Sequence, residues 1–203
     1  YNLELIPGCE VSSEDGHVLC LFIERPIPPG LPLLETVMRV GNQGGICIAA
    51  HPMAKAVNSL SFETIRQVLK HPDASKILVG IEAFNGGLVY TRGNLSVQQQ
   101  SKNLPLAQLG NSDSHILPMI GQGSSYYHGY TSADLRKAII NHTTMLRRGK
   151  GFSGSAVLTS YIPRFILRKL GWVSWNENPE KPITYARINK LHYINTSTQY
   201  LHS

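Results

Sequence analysis

Leu104-Pro105-Leu106-Ala107-Gln108-Leu109-Gly110-Asn111-Ser112-Asp113-Ser114-His115 is the stretch on which the reading of the fold turns. An apolar run stops, and an acid and an imidazole follow two residues apart. Side chains at i and i+2 of a strand project to the same side. Asp113 and His115 are therefore expected to point together beyond a strand's end, which is a geometry for holding a cation. A capped loop gives the same letters, so the decision rests on how the other apolar runs end.

They end alike. Ile46 to Ala50 reads as a buried strand that delivers His51-Pro52, and Pro52 is expected to keep His51 extended and to prevent a helix from starting there. Ile77 to Phe84 reads as a strand ending in Glu82 and Asn85. Leu3 to Val11 and His17 to Glu24 read as strands about the turn Ser12-Ser13-Glu14-Asp15-Gly16, and they supply Glu10 and His17. Helices are expected over Leu33 to Gly41, near Ser61 to Lys70 with Ser61 or Thr64 as cap, over Asn94 to Lys102, and over Ser132 to His142 with Asp134 in its first turn. Strands alternating with helices predict a mostly parallel α/β sheet or barrel, in which chemistry sits where strands end. Beyond about residue 150 the pattern breaks. Ser155 to Gly171 reads as helical around Pro163, and Trp172 to Ser203 is a polar tail without period. The expected division is thus 1–150 and a basic extension over 151–203.

Taken singly, each strand-end residue has an ordinary account: Glu10 a surface carboxylate, His17 a hairpin residue, His51 a satisfied core histidine, Glu82 a salt-bridge partner. Taken together, three histidines and two or three carboxylates without a thiolate suit zinc, manganese or iron at a multinuclear site, and suit magnesium alone poorly.

Composition narrows the class. The 203 residues are 42% apolar and 16% charged, an ordinary globular balance. No apolar run approaches the roughly 18 residues of a membrane span, and Tyr1 to Pro7 lacks the layout of a signal peptide. Cys9, Cys20 and Cys47 are odd in number and form no C-x-x-C pair, so a reducing, cytoplasmic setting is expected. The net charge of +6 is uneven: residues 1–133 hold 8 Lys+Arg against 10 Asp+Glu, and residues 134–203 hold 11 against 3. A basic tail favours anionic partners, nucleic acid among them, or is a solvated face. The sequence is silent on oligomeric state.

The ordered motifs carry a resemblance. Pro7-Gly8-Cys9-Glu10, Gly16-His17-Val18-Leu19, Ala50-His51-Pro52, Ile81-Glu82-Ala83-Phe84-Asn85 and Gly110-Asn111-Ser112-Asp113-Ser114-His115 resemble, in that order, the later motifs of the polymerase and histidinol phosphatase (PHP) family. Gly129-Tyr130-Thr131 leading into Leu135 to Ile139 extends the resemblance to about residue 142. It implies an α/β fold, a distorted (β/α)7 barrel, with two or three divalent metal ions (zinc, manganese or iron) at the strand ends. It also implies hydrolysis of a small phosphorylated substrate, a nucleotide or other phosphomonoester, by a metal-activated hydroxide. Carried over residue by residue, Glu10 bridges two ions, His17 and His51 complete the second, Asp113 binds the first and His115 a third. Glu10, Asp113 and His115 are then the catalytic residues. Glu82 and Asn85 occupy a family motif near the site without an assigned metal. Family members begin with an H-x-H pair and a further histidine-bearing strand, and this sequence starts after their place. The expectation is therefore a barrel lacking its first strands, through truncation or decay. Arg92 is the candidate substrate contact, with Arg147, Arg148 and Lys150 as further phosphate grips or solvated charges.

Other chemistries fit less well. There is no G-x-x-x-x-G-K-[ST] loop, and Gly151-Phe152-Ser153-Gly154-Ser155 lacks the last glycine of a nucleophile elbow. An acid next to Cys9 raises a thiol pKa rather than activating it. The rival reading is a metal-poor relic that binds nucleic acid or an anionic surface through Arg164-Phe165-Ile166-Leu167-Arg168-Lys169-Leu170.

Overall fold

In a computed structural model of the chain, the described residues are 4–52, 58–87, 93–115, 119–149, 159 and 162–170. Strands β1 (Gly8–Ser12) and β2 (His17–Leu21) form a hairpin. Helix α1 (Leu33–Gly41), β3 (Ile46–Ala49), α2 (Phe62–Leu69), β4 (Leu78–Asn85), α3 (Gly93–Ser101) and β5 (Ala107–Asn111) follow in order. The strands β6 (Gly123–Tyr126) and β7 (Met145–Arg148) flank α4 (Ser132–Ile140) and pair with each other. Two compact units divide the chain, Tyr1–Ala156 and Val157–Ser203, and a further helix, α5 (Ile162–Lys169), lies in the second. Pro163 stands in the first turn of α5, where a missing backbone donor costs nothing.

Local chemistry explains the helices. In α1 the apolar residues Leu33, Val37 and Val40 recur at helical spacing and are fully buried, each contributing about 1.5–3 kcal/mol by leaving water. Glu35 and Arg39 pair on the outer face at 2.7 Å. The Ser61 hydroxyl accepts the Thr64 backbone N–H at the start of α2. Thr131 and Asp134 form a reciprocal capping box on α4.

The expected (β/α)7 barrel is not what forms. The five-stranded sheet has the order β1-β2-β3-β4-β5, with antiparallel ladders at β1–β2 and β2–β3 and parallel ladders only at β3–β4 and β4–β5. Among the described residues no barrel closes. The direction of β2 breaks the expected pattern: the tight turn at Gly16 reverses it against β1, so β2 joins both its neighbours antiparallel and only β3 to β5 run as parallel crossovers. Past β5 the chain adds β6 and β7 as a separate two-stranded sheet. Ser125 Oγ bonds both the Gly110 N–H and the Gly110 carbonyl at 3.1 Å. A Cβ on Gly110 would lie 2.6 Å from the Ser124 carbonyl oxygen, so glycine is what lets β6 approach β5.

The sheet has two unlike faces. Val11, Val18, Cys20, Cys47, Leu78 and Ile81 face the core shared with α1 and α2. The other face carries Leu19, Leu21, Ile46, Ile48 and Leu109, packed against Leu135 and Ile139 of α4. Glu10, Leu19 and Ile48 are direct cross-strand partners and so share this second face. The site lies at its head.

Candidate metal centre

Three elements bring three side chains together. Glu10 lies in the middle of β1, His17 opens β2, and His51 follows the end of β3. One carboxylate oxygen, Glu10 Oε1, stands 2.8 Å from His17 Nδ1 and 3.1 Å from His51 Nε2. The two ring nitrogens are 3.3 Å apart, and the rings meet edge to face at 74°. All three ligand-type atoms lie within 4.8 Å of one another. Donors about 2.0–2.2 Å from a tetrahedral zinc ion are roughly 3.3 Å from each other, so the imidazole pair already has the spacing of a shared ion and the carboxylate is slightly closer. The donor set fits a borderline cation such as zinc, manganese or iron. The side chains are graded in exposure: His51 5%, His17 24%, Glu10 40%. The cluster is therefore open on its carboxylate side.

Below the cluster lies a buried polar layer. Glu82 on β4 is 3% exposed, and its Oε2 accepts the His51 backbone N–H at 2.6 Å. His51 adopts φ +26°. The extended conformation expected before Pro52 is thus not taken, because the bond to Glu82 holds the His51 backbone in a left-handed turn against the preference of a pre-proline residue. Asn85 Nδ2 donates to Asp113 Oδ2 at 3.1 Å, and the Asn85 backbone is clasped by buried Asn94 through two bonds of 2.9 Å.

Charge follows from this packing. The hydrogen bond from His51 is the main cause that holds the Glu10 carboxyl below its ordinary value, and the nearby imidazoles add to it. Burial pushes the His51 imidazole down, but the Glu10 bond with the Glu82, Glu10 and Asp113 charges outweighs burial and raises it. Glu82 is raised by burial, which its bonds to the His51 N–H and the Asn85 and Asn111 side chains only partly offset. Cys9, beside Glu10, is raised chiefly by burial, so no activated thiol competes for the role of nucleophile.

The remaining expected residues are placed differently. Strand β5 ends at Asn111, and Asp113 has φ +43°, so Asp113 and His115 do not project side by side from a strand. His115 Nδ1 turns back to the Asp113 carbonyl at 3.0 Å and stands 3.8 Å from its carboxylate, on a side chain 62% exposed. Neither residue belongs to the Glu10-His17-His51 group. From Asp113 a groove of about 410 Å3 runs along the second sheet face, floored by Leu19, Leu21, Ile48 and Leu109. Arg92 and Lys150 lie outside the described residues, as do the side chains of Arg164, Arg168 and Lys169 and the tail from Trp172. Arg148 stacks over the Phe84 ring at 5.3 Å. No helix among the described residues is long and apolar enough to cross a membrane.

One neighbour was not expected from sequence. Ser59 Oγ lies 3.2 Å from His51 Nδ1. Its only sequence signal is the polar pair Asn58-Ser59 ahead of Leu60 and the α2 cap Ser61, which any loop supplies.

No protein family model matches the chain. Among curated proteins, Uncharacterized protein MJ1587 of Methanocaldococcus jannaschii is 30% identical over 112 residues, covering 52% of this chain and 57% of that protein. Uncharacterized protein MJ0417 of the same organism is 28% identical over 116 residues, covering 57% and 48%. The chain thus spans about half the length of the curated relatives it matches. Among solved structures it is similar to a two-domain protein from Bacteroides vulgatus described as containing a predicted PHP-like metal-dependent phosphoesterase. The TM-score is 0.55 at 18% identity, over 72% of this chain and 45% of that one. At that identity the likeness is one of fold.

Proposed function

We propose that the chain carries the metal site of a phosphoesterase, hydrolysing a small phosphorylated substrate with divalent zinc, manganese or iron. The observation that carries this reading is the convergence of Glu10, His17 and His51 at the head of the sheet, in a fold shared with a protein described as PHP-like. A cation bound there supplies a Lewis acid that neutralises phosphate charge and lowers the pKa of water to about 7. Phosphate-ester hydrolysis is slow enough without catalysis to need both effects.

The chain's own residues do the rest. Glu10 remains a carboxylate well below neutral pH because the imidazoles hold its pKa down, so a negative ligand is present wherever the histidines are neutral. His51 must release the proton from Nε2 before that nitrogen can serve as a ligand, and Glu82 fixes the backbone from which it points. Asp113, oriented through Oδ2 by Asn85, is assigned to a further ion or to the reacting water, with His115 beside it and exposed. Ion count, two or three in the fullest version, rests on these two residues. The groove beside Asp113 has the volume of a small-molecule site and receives the organic part of the ester. Arg92 is the proposed phosphate contact.

The test is turnover of an aryl phosphate by the metal-loaded protein. Glu10→Gln and Asp113→Ala are each expected to lower kcat/KM by about 2 orders of magnitude or more, the order of loss typical when one electrostatic contact to the transition state is removed. Retention of wild-type turnover by Asp113→Ala, in protein freed of contaminating phosphatase, would remove Asp113 from the reaction.

A further inference from the structure

The imidazole of His51 is held at both ring nitrogens, and one of its partners, Ser59, lies outside the cluster. Nε2 faces Glu10 Oε1 at 3.1 Å and His17 Nδ1 at 3.3 Å. Nδ1 faces Ser59 Oγ at 3.2 Å. We infer that Ser59 is a positioning residue for the metal centre: its hydroxyl oxygen accepts a hydrogen bond from Nδ1–H of His51 and so leaves the Nε2 lone pair free for an ion shared with Glu10 and His17. The inference rests on the metal reading above and names a residue that the ligand motifs do not contain.

A neutral imidazole carries one N–H, and when Nε2 is a ligand the proton resides on Nδ1. That N–H needs an acceptor, and ligating histidines usually find one just outside the metal's ligand shell. A hydroxyl has a property that a carboxylate lacks, since it both donates and accepts. In the metal-free state, with Nε2–H donating to Glu10, the Ser59 hydroxyl donates to Nδ1. With an ion held by Nε2, the ring proton would reside on Nδ1 and the same hydroxyl oxygen would accept its hydrogen bond. Neither tautomer leaves a ring nitrogen unpaired.

Ser59 is held in place on both sides. The Asn58 carbonyl accepts the His17 backbone N–H at 3.1 Å, and Asn58 Nδ2 donates to the Ser13 carbonyl at 3.3 Å. Leu60 is fully buried and packs against Gly16, where a Cβ would lie 2.4 Å from the Leu60 nitrogen. One short segment thus ties the turn that presents His17 to the hydroxyl that orients His51, and sets both imidazoles together.

The experiment is a calorimetric titration of metal-free wild type, Ser59→Ala and Ser59→Thr with zinc ion alone. Long-range nitrogen-15 NMR of the imidazoles is then recorded on the zinc-loaded forms. Ser59→Ala is expected to bind zinc about 10- to 100-fold more weakly, the cost typical of losing such a second contact. Ser59→Thr, which keeps the hydroxyl, is expected to bind as wild type does. In wild type the His51 signals should report a protonated Nδ1 and a ligated Nε2, and in Ser59→Ala that assignment should be lost or mixed. A role confined to loop folding would lower thermal stability of the metal-free protein and leave the tautomer unchanged, which overturns the inference. Equal zinc affinity in wild type and Ser59→Ala also overturns it while leaving the metal reading intact. Absence of zinc binding by wild type overturns the metal reading and this role with it.

Discussion

Replacing Glu82 by alanine should destabilise the protein by about 3 kcal/mol although no metal is involved. The side chain is 3% exposed and accepts the His51 N–H at 2.6 Å. Losing a charged acceptor and leaving that amide unpaired costs about 1–3 kcal/mol. The cavity and the loss of the contact that held His51 at φ +26° add about 1–3 kcal/mol more. Against this, burial already raises the Glu82 pKa, so removing the carboxylate also relieves a desolvation cost, and the net falls in the lower half of the summed range, at about 3 kcal/mol. For a chain of this length 1 kcal/mol shifts Tm by about 2–4 °C, so Tm should fall by roughly 6–12 °C. The assay is urea unfolding of metal-free protein at neutral pH, followed by circular dichroism, with Glu82→Gln alongside. Glutamine keeps one oxygen for the His51 N–H and should lose less than half as much. A Glu82→Ala variant within 0.5 kcal/mol of wild type would show that the bond does not hold the turn.

Three further outcomes follow from the same geometry. Glu10 is held below its ordinary 4.5, so its contribution is complete above that value and is lost as pH falls through the lowered pKa. His51 is raised above 6.5 and Glu82 above 4.5, so their contributions are complete below those values and are lost as pH rises through the raised ones. Metal-free stability should therefore be greatest near pH 4.5, where the Glu10 contribution is complete and that of Glu82 is not yet lost, and decline above it, further so past pH 6.5, as a series of melts in chelator would show. Excess zinc should reverse the high-pH decline, since the ion needs Nε2 unprotonated, and melts that decline equally with and without zinc would contradict the ligand assignment. Gly16→Ala, at φ +142° with a backbone nitrogen 2.4 Å from the new Cβ, should cost about 2–4 kcal/mol in urea unfolding through strain and steric displacement and weaken zinc binding by moving Ser59.

Much of the site was legible because its parts stand on apolar runs. Ile46 to Ala49 is buried throughout, so the residue after it had to sit at a strand end, and His51 was found that way. Glu10 and His17 were legible from the Gly16 turn, which forces the two strands into register. That same turn argued against an all-parallel barrel, since a hairpin is antiparallel by construction. Family motifs record residue order, and ladder direction is not written in them. Strands β6 and β7 were missed for another reason. Gly123-Ser124-Ser125-Tyr126 is small and polar and only partly buried, Met145-Leu146-Arg147-Arg148 is mostly exposed, and neither shows a period of apolar residues, so they are held by pairing and by contact with Gly110 rather than by an apolar face. His51 and Asp113 depart from the extended geometry assumed for strand ends, and each has a distant partner: Glu82 holds the His51 backbone N–H, and Asn85 holds the Asp113 carboxylate. Such partners are 31 and 28 residues away in sequence, beyond the reach of a local rule. Ser59 was illegible because a serine before a capping serine has many ordinary explanations.

The central claim is that Glu10, His17 and His51 share a cation. The most direct measurement is elemental mass spectrometry of protein purified without chelator or affinity metal, for wild type beside a His51→Ala, Glu10→Gln double variant. The account predicts at least one equivalent of zinc, manganese or iron per wild-type chain and under a tenth of an equivalent in the variant. Equal metal in both proteins, or none in wild type after equilibration with zinc, would contradict it.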